Sequence, residues 1–200
     1  MKLLFSPPSP YARKVRICAQ ELGIALEEIV VGANPAAAAA DPVLAAANPL
    51  AKIPTLVLDD GRAIYDSAVI VDYLDSLTDR ALAPRSGDAR WAALVEQAAA
   101  DGILDAALLS RYELFLRPKA LRWPEWVEGQ SGKIERALDL FEGSVRDAAN
   151  PGLGDICVAC ALGYLDLRFP NNGWRTTHPK LTACFTEISE RPSLKSTVPA

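Results

Sequence analysis

One histidine, His178, is all the imidazole this sequence contains. A zinc centre built on several histidines is ruled out, and any Ser–His or Cys–His machinery would have to run through that single ring. Basic charge is scarce as well: 21 Lys and Arg against 25 Asp and Glu leave a net charge of −4. A nucleic-acid binder needs a dense basic surface to displace counterions from phosphate, so the balance argues against that class. The short run Arg13-Lys14-Val15-Arg16 reads as a solvated helix face rather than a phosphate patch. No stretch reaches the roughly 20 apolar residues of a membrane span. Met1–Phe5 meets Pro7 and Pro8 too soon for a secretory signal, so the chain reads as soluble and cytoplasmic. Four cysteines in 200 residues make no disulfide framework. Cys157 and Cys160 form a CxxC, but inside an apolar run and without a second pair, so they are expected to pack the core and hold no metal.

What the chain does have is 50% hydrophobic residues and 23% charged ones, enough for a real core in one or two domains. The first third alternates strand and helix signals. Lys2–Phe5 is a strand candidate, residues 10–23 carry apolar positions three and four apart, and Glu27–Val31 is a second strand candidate. Residues 32–49 are rich in alanine but interrupted by Pro35, Pro42 and Pro49, which predicts a broken helix or a linker. Thr55–Leu58 and Ala63–Tyr65 flank the turn Asp59-Asp60-Gly61, and Ser67–Leu77 is helical. This βαβ, hairpin, helix order is the thioredoxin-like plan. Beyond a linker the strand signal ends. A long helix from Trp91 to Pro118, others at 125–148 and 155–168, and a last one from Pro179 to Pro192 predict an all-helical bundle. The expected division is 1–78, a linker over 79–87, and 88–200.

Three short segments carry chemistry. Ser9-Pro10 has helix-start grammar, serine at the N-cap and proline at N1. It follows the first strand, so its hydroxyl would stand beside unpaired N–H groups that stabilise an anion, including a thiolate. Ile53-Pro54 precedes the third strand, a place where a cis X–Pro bond occurs. Asp66-Ser67 opens the next helix with a carboxylate, a hydroxyl and free N–H groups. Those groups suit a ligand that carries both ammonium and carboxylate. Each segment alone reads more simply as a cap or a strand start; together, in this order and spacing, they point to a site.

With these segments the chain resembles the cytosolic glutathione S-transferases, and within them a bacterial branch with serine at the active position. The matching stretches are Ser9-Pro10-Tyr11-Ala12-Arg13-Lys14-Val15-Arg16, Asn48-Pro49-Leu50-Ala51-Lys52-Ile53-Pro54-Thr55-Leu56, Asp66-Ser67-Ala68-Val69-Ile70, and Arg191-Pro192-Ser193 after the last helix. The resemblance implies glutathione as co-substrate, no metal, an electrophilic small molecule as second substrate, and a homodimer. Ser9 would hold the glutathione thiolate, Ile53 would pair with the cysteinyl unit, and Pro54 would be cis. Asp66 and Ser67 would hold the γ-glutamyl end, and Lys52 the glycyl carboxylate. Asp101 would either reach the γ-glutamyl ammonium across a dimer interface or serve as a structural helix residue. Tyr11, Tyr112 and Trp123 would line the acceptor pocket or pack the core. A glutathione-dependent isomerase of the maleylacetoacetate type and a non-catalytic binding relative are the alternatives. Three departures stand out: Ala51 where many relatives have glycine, Gly152 where the family's Ser/Thr-x-x-Asp capping box has a hydroxyl, and serine at a position where some classes carry cysteine.

Overall fold

The computed structural model describes residues 1–33, 39–144 and 146–199. The chain divides into two compact units, one of Met1–Arg85 with Pro192–Ala200 and one of Ser86–Arg191.

In the first unit, β1 (Lys2–Phe5), α1 (Pro10–Glu21) and β2 (Glu27–Val30) form a parallel crossover. They are followed by α2 (Pro42–Ala47), β3 (Thr55–Val57), β4 (Ala63–Ile64) and α3 (Ser67–Ser76). The sheet order is β2-β1-β3-β4, with β3 antiparallel to both its neighbours. The helices form where apolar stripes can be buried: Ala12, Val15 and Cys18 of α1, and Ile70, Val71 and Leu74 of α3, are all enclosed, as are Leu3 and Leu56 of the sheet. Each fully enclosed Leu, Ile or Val stabilises the unit by about 1.5–3 kcal/mol. The expected broken helix is present as α2, which Asp41 caps by accepting from the N–H groups of Val43 and Leu44 at 3.0 and 3.2 Å. Its other oxygen accepts from Gly32 N–H at 3.1 Å, while residues 34–38 lie outside the described residues. The linker folds back on α3: Asp75 accepts from Leu82 N–H at 2.7 Å and from Arg85 at 3.2 Å.

Two expectations are corrected here. The basic run of α1 is no solvated face, because Arg13 is only 5% exposed and Lys14 is fully enclosed. The last expected helix does not run to Pro192: it stops at Ile188, and Pro192 opens a further short helix, α9 (Pro192–Lys195), which groups with the first unit. The burial of Arg13 and the placement of α9 have one cause. Arg13 Nη2 donates to the Leu194 carbonyl at 3.2 Å, and Ser193 Oγ donates to Glu21 at 2.6 Å, so the segment docks on α1 through α1's own polar side chains.

Among its described residues the second unit holds helices and no strand. It holds α4 (Gly87–Arg111), α5 (Pro124–Glu142), α6 (Leu153–Arg168), α7 (Trp174–Thr177) and α8 (Pro179–Ile188). The long helix does not run as plain α-helix to Pro118, because after Arg111 one π-helical turn, Tyr112–Leu116, intervenes. Helix α5 stops at Glu142 rather than near 148, with Gly143 as its C-cap. Helix α6 lies against α4 and is buried on nearly every side, Cys157 and Cys160 included, so those thiols are core groups. At its start Asp155 accepts from Gly152 N–H at 3.1 Å, so the carboxylate arm of the capping box survives although glycine has no hydroxyl to return the bond. Gly154 is required by a close approach: a Cβ there would meet the Glu96 side chain, which Arg146 holds at 2.6 Å. His178 is buried, sharing contacts with Thr177 Oγ1, the Trp174 carbonyl and Asp139, and it ties the α7–α8 corner to α5.

Candidate functional site

Strand register assembles the site. Leu4 pairs with Thr55, and Leu56 pairs with Ile64. The end of β1 leading to Ser9, the start of β3 at Ile53–Pro54, and the end of β4 leading to Asp66 therefore lie at one end of the sheet. The sequence separates these segments by dozens of residues, and the antiparallel pairing of β3 brings them together.

Ser9 is the N-cap of α1, half-buried, with extended backbone; its Oγ accepts from Ala12 N–H at 3.2 Å, and Pro10 occupies N1. A hydroxyl has two acceptor lone pairs and one proton. Capping uses a lone pair and leaves the O–H to donate, so the choice between cap and functional group that the sequence poses is not exclusive. The neighbouring helix N-terminus adds partial positive charge. Asp66 caps α3 in the same way, Oδ1 accepting from Ala68 N–H at 3.0 Å, while the carboxylate stays exposed and Ser67 beside it is buried. The Ile53–Pro54 peptide bond is cis, as the family resemblance implies, and so is the bond between Tyr65 and Asp66. Pro54 is buried, Ile53 half-buried and Lys52 exposed.

The sequence quotes Asn48 but gives it no task; the structure does. Its side chain is almost fully enclosed, at 1% exposure. Nδ2 donates to the Lys52 carbonyl at 3.1 Å and to Thr55 Oγ1 at 3.0 Å, and Oδ1 accepts from Leu50 N–H at 3.0 Å. Thr55 Oγ1 in turn donates to the Lys52 carbonyl at 2.9 Å. One amide thus clasps the whole turn leading to Ile53–Pro54. The signal available in the sequence was an Asn-Pro before a turn, which marks a loop but not which backbone groups the amide holds. Within this clasp Ala51 has φ of 48°, a left-handed conformation. That region costs an L-residue about 1–2 kcal/mol, which explains physically why glycine would sit easily at this position.

The other residues singled out are distributed as follows. Tyr11 is half-buried near the start of α1. Asp101 and Tyr112 are half-buried in the second unit, on α4 and in the π-helical turn. Trp123, 61% exposed, is the N-cap of α5 and donates its N–H to Glu113 at 2.8 Å. Burial pushes the Tyr112 hydroxyl above its ordinary pKa, so it is a proton donor at neutral pH. Among the described residues no group of three or more His, Cys, Asp or Glu side chains is placed to hold a metal ion, and no helix is long and apolar enough to cross a membrane.

Comparison with known proteins agrees with this geometry. Residues 8–77 match the family described as "Glutathione S-transferase, N-terminal domain" and residues 124–183 match "Glutathione S-transferase, C-terminal domain". The uncharacterized GST-like protein YibF of Escherichia coli (strain K12) is 35% identical over 204 residues, covering 100% of this chain and 98% of its own length. A glutathione transferase family member from Pseudomonas fluorescens Pf-5, solved with bound glutathione, superposes with a TM-score of 0.94 at 45% identity, covering 100% of this chain and 98% of the other. A further Pf-5 family member structure, holding S-(propanoic acid)-glutathione, gives a TM-score of 0.90 at 43% identity with complete coverage of both chains. The chain belongs to the glutathione S-transferase family.

Proposed function

We propose that this protein is a glutathione transferase that stabilises the glutathione thiolate for attack on an electrophilic small molecule. The observation that carries the reading is the convergence of Ser9, Ile53–Pro54 and Asp66-Ser67 at one end of the sheet, two of these segments at helix N-termini. Ser9 donates its free O–H to the thiolate and is too weak a base to remove the thiol proton itself, so the start of α1 supplies the rest of the stabilisation. Ile53 pairs its main chain with the cysteinyl unit. Asp66 accepts the γ-glutamyl ammonium, and the Ser67 hydroxyl and α3 N–H groups hold its carboxylate. Lys52 meets the glycyl carboxylate. The active form is a homodimer, in which Asp101 adds a second contact to the γ-glutamyl ammonium. Tyr112 and Trp123 of the helical unit contact the acceptor. Relatives solved with glutathione and with its S-(propanoic acid) thioether support both the co-substrate and carbon–sulfur bond formation.

The test is the thiol pKa of bound glutathione, followed by ultraviolet thiolate absorbance in native protein and in Ser9→Ala. A hydrogen bond to a charged group contributes about 1.5–3 kcal/mol, so the variant should raise the pKa by about one to two units. An unchanged pKa would mean that Ser9 only caps α1. No retention of native protein on immobilised glutathione would reject the whole reading.

A further inference from the structure

Helices α4 and α6 pack against each other, and Arg111 at the end of α4 and Tyr112 at the start of the π-helical turn lie within electrostatic reach of Tyr164 on α6. Arg111 and Tyr112 come from α4 and the turn; Tyr164 and Arg168, one helical turn apart on α6, share a face. The Arg168 guanidinium stands over the Tyr164 ring, 6.0 Å from its centroid, and Arg111 stands over Phe115 at 5.3 Å. The charges of both arginines bear on the Tyr164 hydroxyl, and the Tyr112 hydroxyl lies within the same electrostatic reach. Burial raises both phenols above their ordinary pKa, so they keep their protons and can donate.

Among the described residues neither Arg111 nor Arg168 forms an ion pair with a carboxylate. The acidic neighbours in sequence are engaged elsewhere: Glu113 binds Arg117 at 2.6 Å and the Trp123 N–H, and Asp166 binds Arg175 at 2.7 Å and the Trp174 indole. Arg168 Nε is shut away from solvent with no hydrogen-bond partner. A buried donor of that kind normally has an acceptor, and two planar guanidinium forks with two phenolic donors are matched by a small planar anion.

We propose that Arg111, Tyr112, Tyr164 and Arg168 form a carboxylate-binding site of the helical unit, which takes the acid group of an acidic organic acceptor. The anion site stands on these four residues alone, while its use for the acceptor rests on the transferase reading above. The corresponding reaction with an α,β-unsaturated acid balances simply. The thiolate sulfur bonds to the β-carbon, the C=C π bond breaks, and the α-carbon takes up a proton equal to the one the thiol released; nothing leaves.

The test separates the two layers. Saturation-transfer NMR of the full chain with propionate and with the uncharged isostere propionamide reads the anion site without any turnover. Propionate should bind about tenfold or more tightly than propionamide, and Arg168→Met and Arg111→Met should each remove most of that preference, with Arg168→Lys restoring only part because the fork is lost. Circular dichroism confirms that the variants fold. Equal binding of the two probes, or an unchanged preference in folded variants, overturns the site. Conjugation of glutathione to acrylate and to acrylamide then reads the acceptor role: the ratio of kcat/KM values should fall about tenfold in Arg168→Met. If propionate is selected but neither acceptor is turned over, the transferase reading fails and the anion site stands. If both are turned over with the same ratio in native and variant protein, the acceptor role is wrong.

Discussion

The two units build polar chemistry in opposite ways. In the first, the functional groups are held by backbone devices: Ser9 and Asp66 as helix caps, a cis bond before β3, and a turn clasped by Asn48 with Ala51 in left-handed backbone. In the second, they are held by side chains reaching between helices, as in the Glu96–Arg146–Asp155 cluster and the paired arginines and tyrosines on α4 and α6. Backbone devices fix a few atoms to a local stretch of chain and leave room for little variation. Side-chain clusters draw on residues 50 or more positions apart and can change their chemistry one substitution at a time. On the transferase reading proposed above, the first suits a constant co-substrate and the second a variable one.

The largest expected effect sharpens that contrast at Asn48. Asn48→Ala removes the acceptor of the Leu50 N–H, one of the two donors to the Lys52 carbonyl and a partner of the buried Thr55 hydroxyl, which should lower stability by about 2 kcal/mol in urea unfolding. It should also weaken glutathione affinity about tenfold or more in calorimetry, because the turn it clasps leads to Ile53 and Pro54. If the variant loses stability but keeps its affinity, the clasp is structural only. Gly154→Ala is the counterpart in the second unit. The new methyl displaces Glu96 from Arg146 and should cost about 1–3 kcal/mol while leaving glutathione affinity at the native value. A matching loss of affinity would show that the units are not separable in this way.

A smaller effect follows from Glu142, whose carboxylate accepts from Lys180 N–H at 3.0 Å and Leu181 N–H at 2.9 Å, capping α8 from the end of α5. Burial pushes its pKa up, but the two N–H bonds and the His178 and Lys180 charges outweigh that and hold it below the ordinary value. Its stabilisation is thus fully present above the unfolded carboxyl pKa of about 4.3 and is lost as pH falls through the lower folded value. The stability gap between native protein and Glu142→Gln, read by thermal unfolding, should therefore shrink as the pH is lowered through that window. The smallest expected change is a gain. Ala51→Gly relieves the left-handed backbone and should raise stability by up to about 1 kcal/mol, after the extra chain entropy of glycine is subtracted. A loss would mean that the Ala51 methyl, packed beside Leu44, outweighs the strain.

How much of this was legible in the sequence follows the same division. Every strand and long helix announced itself through local apolar spacing, and the caps Ser9 and Asp66 announced themselves through local grammar. Asn48 did not, because its three partners are named only by a turn that spacing cannot draw. Arg13 reads as solvated in the sequence because the segment that covers it, at Leu194 and Thr197, is 181 to 184 positions away. The Arg111–Arg168 cluster was invisible for the same reason: each arginine alone is an ordinary helix residue, and only helix packing makes them a pair.

The docking of Ser193–Thr197 on α1 has a consequence in time. The first unit is interrupted by the whole of the second and completed only by residues synthesised after Arg191. A ribosome therefore exposes the Arg13 guanidinium early and delivers the Leu194 carbonyl that receives it late, after the helical unit has had the chance to fold. The order of synthesis leaves the unit that carries Ser9, Pro54 and Asp66 to be completed last.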